Sequence, residues 1–171
     1  MSYARNRLDA VISRIRQFLA AVRARVSEDE MALLEQYLDP SQQALFRAMS
    51  LIDQRHGLDV FNTLLQQGHS DPDLLRAALL HDVGKMGICL WHRVAGVLLE
   101  AFWPALLEKL DVNRPQSWLY GFYIYRHHAD LSAKLAEGSG CSPSVVELIR
   151  GHHTLSNNEQ AKALWEADRL N

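Results

Sequence analysis

The chain has 171 residues, 48% of them hydrophobic and 22% charged, and a formal net charge of −2. That is the composition of a globular domain large enough to bury a sizeable core, and the near-neutral balance offers no general basis for binding DNA or RNA. Two cysteines, Cys89 and Cys141, are too few for a disulfide framework; they are expected to pack as small apolar groups in a reducing cytoplasm.

Residues 1–7 lack the apolar core of a secretion signal. Residues 4–26 predict an amphipathic helix, because Leu8, Val11, Ile12, Ile15, Phe18, Leu19, Val22 and Val26 recur at helical spacing. Arginines 5, 7, 14, 16, 23 and 25 edge that face. The layout suits packing on the same domain or on a second copy in a homodimer, and it also suits an anionic membrane surface. Ser27-Glu28-Asp29-Glu30 is a capping box and predicts a short helix through Leu38.

Asp39-Pro40 is an N-cap followed by proline at the first helical position. The helix it opens carries Leu45, Phe46, Met49 and Ile52 and runs to Arg55-His56, with a kink expected at Gly57 and an end at Gly68. Asp71-Pro72 repeats the signal and opens a helix that reaches His81-Asp82, with Gly84 as its stop. Residues 91–110 read as one long helix kinked near Pro104; Glu100, Pro104 and Glu108 interrupt its apolar run, so no membrane span is expected. Trp118–Tyr125 is aromatic enough to suit a strand, but it feeds a helical pattern and has no partner strand. Residues 129–137 form a helix closed by Gly138-Ser139-Gly140; Ser142-Pro143 opens another that ends at His152-His153; Asn157 or Asn158 caps the last, through about Arg169. The expectation is all-α: a helical extension over residues 1–40 and a helical domain over 41–171.

The stretch from Ala77 to Lys85 carries the chemistry. An apolar run ends in His81-Asp82, followed by Val83-Gly84-Lys85. A carboxylate buried beside such a run needs a cation or several donors, and a metal ion would supply the cation. The chain holds further ligands of the right type in His56, His128, His152, His153 and Asp168. Imidazole and carboxylate together suit Fe, Mn, Ni, Co or Zn. No one segment has the close spacing of a zinc finger, so the fold must assemble the site. Taken singly, His56 could be a surface helix histidine, and His152-His153 could serve a helix C-terminus. Asp168 is harder to explain that way, because an acid near a helix C-terminus is disfavoured. Lys85, three residues after Asp82, suits a contact to a phosphate oxygen or a solvated helix end. His127 is expected to be outside the ligand set, His69 and His92 at the surface, Trp91 in packing, and Arg55 and Arg93 are candidate anion contacts.

The ordered series Arg55-His56, Leu79-Leu80-His81-Asp82-Val83-Gly84-Lys85, His128-Ala129-Asp130-Leu131-Ser132-Ala133, Ile149-Arg150-Gly151-His152-His153 and Ala167-Asp168 resembles the HD-domain superfamily, largely metal-dependent phosphohydrolases. Residues 128–133 stand where that family often has His-Pro-Glu-Ile-Gly-Ala. The resemblance, over about residues 45–170, implies an HD-domain helical bundle binding one or two divalent metals per chain. His56, His81, Asp82 and Asp168 would hold one; Asp82 would bridge to a second, held by His128, His152 and His153. Two ions about 3.5–4 Å apart can share a hydroxide nucleophile and clamp a phosphoryl displacement. The implied function is cytoplasmic hydrolysis of a small phosphate ester, nucleotide-like, with Asp82 and Lys85 as the catalytic residues. A di-iron oxygenase built on the same ligands and a regulatory module with a vestigial site remain open. Thr154 replaces the acid usual after the histidine pair, and no Gly-Tyr-Pro segment follows His153, so a cyclic dinucleotide substrate is not supported.

Overall fold

The computed structural model describes residues 26–171. The predicted helix over residues 4–26 lies, but for Val26, outside them. Among the described residues there are nine α-helices, one 3-10 turn and no strand, as an all-α expectation requires. None of those helices is long and apolar enough to cross a membrane.

The helices are α1 (Glu28–Tyr37), α2 (Pro40–Ala48), α3 (Leu51–Gln66), α4 (Pro72–Leu80), α5 (Leu90–Phe102), α6 (Pro104–Lys109), α7 (Tyr120–Gly138), α8 (Pro143–Gly151) and α9 (Glu159–Leu170), with the 3-10 turn at Val83–Lys85. Their starts follow the cap chemistry. Ser27 and Glu30 close a capping box on α1. Asp71 Oδ1 accepts the N–H of Asp73 and of Leu74 at 3.0 Å each, Ser142 Oγ accepts the N–H of Val145, and Asn158 Oδ1 accepts the N–H of Gln160 and Ala161. Each satisfies orphan donors of a first turn. Gly68, at φ 87°, ends the turn after α3, a conformation that favours glycine.

The described residues divide into two units, Gly87–His127 and residues 26–86 with His128–Asn171. In the second, α4 is the central element. Leu74, Leu75 and Ala77 through Leu80 are all buried, and α1, α2, α3, α8 and α9 each pack against this helix. Only Asp73 and Arg76, ion-paired at 3.2 Å on its partly exposed side, interrupt that apolar surface, and a helix so largely apolar belongs in an interior. Its core partners include Leu34, Phe46, Leu58, Phe61, Leu64, Val145, Ile149 and Leu164. Gly57 lets α3 approach α4 closely: a Cβ there would stand 3.1 Å from the Leu79 carbonyl oxygen. Helix α3 runs through Gly57 without interruption.

Other expectations differ from what the structure shows. Helix α1, assigned to an extension ending at residue 40, belongs to the unit that carries the site, because Leu34 is fully buried in its core. The helix opened by Pro40 does not run to His56. It stops at Ala48, Ser50 caps α3 afresh, and Gln54 Nε2 donates to the Met49 and Arg47 carbonyls that the break leaves open. Residues 91–110 are two helices rather than one kinked helix, separated at Trp103 (φ −140°, ψ 59°) before Pro104. Cys89 is exposed; only Cys141 packs, half-buried, against the core.

In the first unit, His92 is buried rather than on the surface. Its Nε2–H donates to the Trp118 carbonyl at 2.7 Å, and its ring lies against the backbone of Gly121, where any Cβ would collide with it. Trp91 stacks over Trp118 at 5.9 Å between centroids, with both rings substantially exposed.

Candidate metal centre

Five elements deliver the predicted ligands to one place. Helix α4 carries the His-Asp pair at its C-terminal end. His81 still has helical backbone angles, and its Nδ1–H donates to the Ala78 carbonyl at 2.8 Å. Because a carbonyl only accepts, this fixes the proton on Nδ1 and leaves Nε2 as the free face. Asp82 leaves the helix (φ −104°, ψ 5°) and turns its carboxylate to the same side. Helix α3 brings His56, the buried start of the second half of α7 brings His128, the end of α8 brings His152 and His153, and α9 brings Asp168. Ala161, Leu164 and Ala167 are the buried stripe of α9, and Asp168 stands at its edge, four residues after Leu164.

The two oxygens of Asp82 face different partners. Oδ2 lies 3.6 Å from His81 Nε2 and 3.9 Å from His56 Nε2; Oδ1 lies 3.6 Å from His128 Nε2 and 4.0 Å from His152 Nε2. Asp168 joins the first group. His56 Nε2–H donates to its Oδ1 at 2.9 Å, and His81 Nε2 is 3.5 Å away, too far for a good hydrogen bond. His153 joins the second, its Nε2 2.7 Å from His128 Nε2. His152 repeats the arrangement of His81, with Nδ1–H donating to the Ile149 carbonyl at 2.6 Å. Two triplets, His56-His81-Asp82 and His128-His152-His153, each offer ligand atoms within 4.8 Å of one another, as a metal ion requires.

A fit to metal shows in what is left unpaired. His81 Nε2, Asp82 Oδ1 and His152 Nε2 are buried without any hydrogen-bond partner, on residues only 1%, 2% and 0% exposed. Buried polar atoms without partners are rare and costly, and these three converge. Divalent cations held by neutral imidazole and carboxylate would satisfy all of them.

The electrostatics separate the histidines. Burial opposes charge on His81, but the Asp82 and Asp168 carboxylates outweigh it and hold its pKa up at about 9. Burial pushes His152 down to about 3, aided by charge on His81 and His153. Burial, then Lys85, lowers His128 and His153. Burial alone would raise both carboxyls; Lys85 with the surrounding histidines holds Asp82 well below the usual range, and the hydrogen bond from His56 together with the nearby His81 does so for Asp168. His128, His152, His153 and both carboxylates are thus in the protonation states a metal needs, whereas His81 would give up a proton to bind one.

Lys85 Nζ lies 2.7 Å from Asp82 Oδ2, at the partly exposed edge of the site. Arg55 is likewise engaged, with Glu30 at 2.6 Å and Asp59 at 2.9 Å. His127 pairs with Asp111, at 2.9 Å. Sequence reasoning missed Ser132, which is fully buried one turn beyond His128 and accepts the N–H of Gly84 at 2.8 Å. Only a serine at a core position of α7 hinted at it.

Fold and site together define an all-α protein with two adjoining His/Asp sets that could hold metal ions. Comparison with models of known families, with curated proteins and with solved structures finds no match in any of the three.

Proposed function

We propose that the chain is an HD-type metal-dependent phosphohydrolase that binds two divalent ions and hydrolyses a small, nucleotide-like phosphate ester. The observation that supports this most directly is the split orientation of Asp82, one oxygen toward His56 and His81 and the other toward His128 and His152. A carboxylate so placed suits a bridge between two cations. His56, His81 and Asp168 complete one ligand set; His128, His152 and His153 complete the other. When bound, the ions would supply Lewis-acid polarisation of the phosphate and a water of lowered pKa.

The chain's own residues would do the rest. Asp82 sets the spacing of the two sets. The Nδ1–H bonds of His81 and His152 to backbone carbonyls hold those rings in one tautomer and orientation. Lys85, partly exposed beside Asp82, supplies a cation at the edge of the site to steady a phosphate oxygen. In the net reaction the water oxygen bonds to phosphorus, the ester P–O bond breaks, and a proton leaves with the alcohol.

The test is metal content by elemental analysis on protein purified without an affinity tag or chelator, followed by a screen of nucleoside monophosphates and of simple phosphate mono- and diesters. About two ions per chain with phosphate release is the expected result. Iron content with oxygen uptake and no phosphate release would replace this reading by an oxygenase. Absence of metal after soaking in Mn, Fe or Ni would replace it by a module without catalysis.

A further inference from the structure

The turn that carries Asp82 is seated on the α7 backbone by Gly84 and Ser132. Gly84, two residues after Asp82, presses against the α7 backbone: a Cβ at Gly84 would stand 2.5 Å from the His128 carbonyl oxygen, 2.6 Å from the Ser132 nitrogen and 2.8 Å from Ser132 Oγ. Real Cβ atoms do not come so close to backbone, so glycine is required. The N–H of Gly84 donates to Ser132 Oγ at 2.8 Å, and Ser132 is fully buried. Glycine and serine therefore form one seat, and it spans the α7 turn that begins at His128.

We propose that Ser132 is a positioning residue for the second ion. Its hydroxyl docks the Asp82 turn on α7 and so sets the 3.6 Å between Asp82 Oδ1 and His128 Nε2. The proposal rests on the two-metal reading above. Removing the hydroxyl leaves the buried Gly84 N–H without an acceptor, and the turn relieves this by lifting off α7. His81 travels with Asp82, and α3 and α9, which carry His56 and Asp168, pack on the same helix α4, so the first ligand set stays together. The second loses its carboxylate oxygen, because His128, at 3.6 Å from Asp82 Oδ1, sits on α7.

The test uses manganese(II) alone, with affinity read by competition against a chelator and the ion pair read by electron paramagnetic resonance. Wild type is expected to take up two ions with an exchange-coupled signal. Ser132→Ala is expected to bind one ion as before and the other at least roughly tenfold more weakly, as for other residues that orient ligands from outside the coordination sphere. The coupled signal should fall with it, and Ser132→Thr, which keeps the hydroxyl, should restore both. If Ser132→Ala does not fold, Ser132→Cys keeps the volume with a poor acceptor and carries the same expectation. A merely structural role would weaken both ions together and lower the melting temperature. That outcome overturns the proposal, as does an unaltered second ion and coupled signal. Wild type that never takes up two ions instead overturns the two-metal reading.

Discussion

His81 Nε2 and Asp82 Oδ2 meet 3.6 Å apart, although neighbours on an α-helix point about 100° from each other. They converge because the helix ends between them. His81 keeps helical angles, and Asp82 turns out at φ −104°, ψ 5° into the 3-10 turn. The break is what converts an adjacent pair into a common face, and it leaves the two Asp82 oxygens facing two different histidine groups.

Asp82→Ala should therefore empty both metal positions and abolish hydrolysis. Elemental analysis should fall from about two ions per chain to background. One retained ion would show that the two sets do not share this carboxylate.

Metal uptake should release a proton. The metal-free pKa of His81 is about 9, above about 6.5 for a free histidine. The charge on His81 thus stabilises the metal-free fold fully below pH 6.5, and that contribution is lost as pH rises through about 9. At pH 7.5 an ion at this side must displace about one proton. His152, held at about 3, has none to give. Isothermal titration in buffers of different ionisation enthalpy should show this release, shrinking above pH 9 as His81 deprotonates.

Metal should also stabilise the fold, since it relieves the unpaired atoms of His81, Asp82 and His152. At a thousandfold excess over Kd an ion adds about 4 kcal/mol, or a melting shift on the order of 10 °C for a chain of this size. Chelation should reverse it, as read by thermal melting.

Lys85→Met should keep both ions and lower kcat by about 10²-fold, the scale of removing one charge-stabilising donor from an active site. Steady-state kinetics beside metal analysis checks this. An unchanged kcat would confine Lys85 to its contact with Asp82.

Gly57→Val should cost about 1–3 kcal/mol, because its side chain would enter the 3.1 Å approach to the Leu79 carbonyl. It should also weaken metal binding, since His56 is the preceding residue and moves with α3. Denaturant unfolding and metal titration measure the two effects separately.

Much was legible in local chemistry. Ser27, Asp71, Ser142 and Asn158 start helices because their side chains accept first-turn N–H groups. The metal-ligand candidates were legible by residue type and order, and the structure brings His56, His81, Asp82, His128, His152, His153 and Asp168 to one place. The fresh cap at Ser50, the break at Trp103 and the burial of His92 were not legible, because each depends on what packs against the segment.

The amino-acid order alone determined an all-helical fold over the described residues, most of their helix starts and the chemical type of the candidate ligands, since propensity, capping and side-chain basicity act within a few residues. Tertiary packing decided which oxygen of Asp82 faces which histidines, that Lys85 pairs with Asp82, and that Gly84 seats on Ser132. Those relations join α3, α4, α7, α8 and α9 across as many as 112 positions in the chain. Only the burial of apolar faces around α4 brings such distant residues within coordination reach of one another.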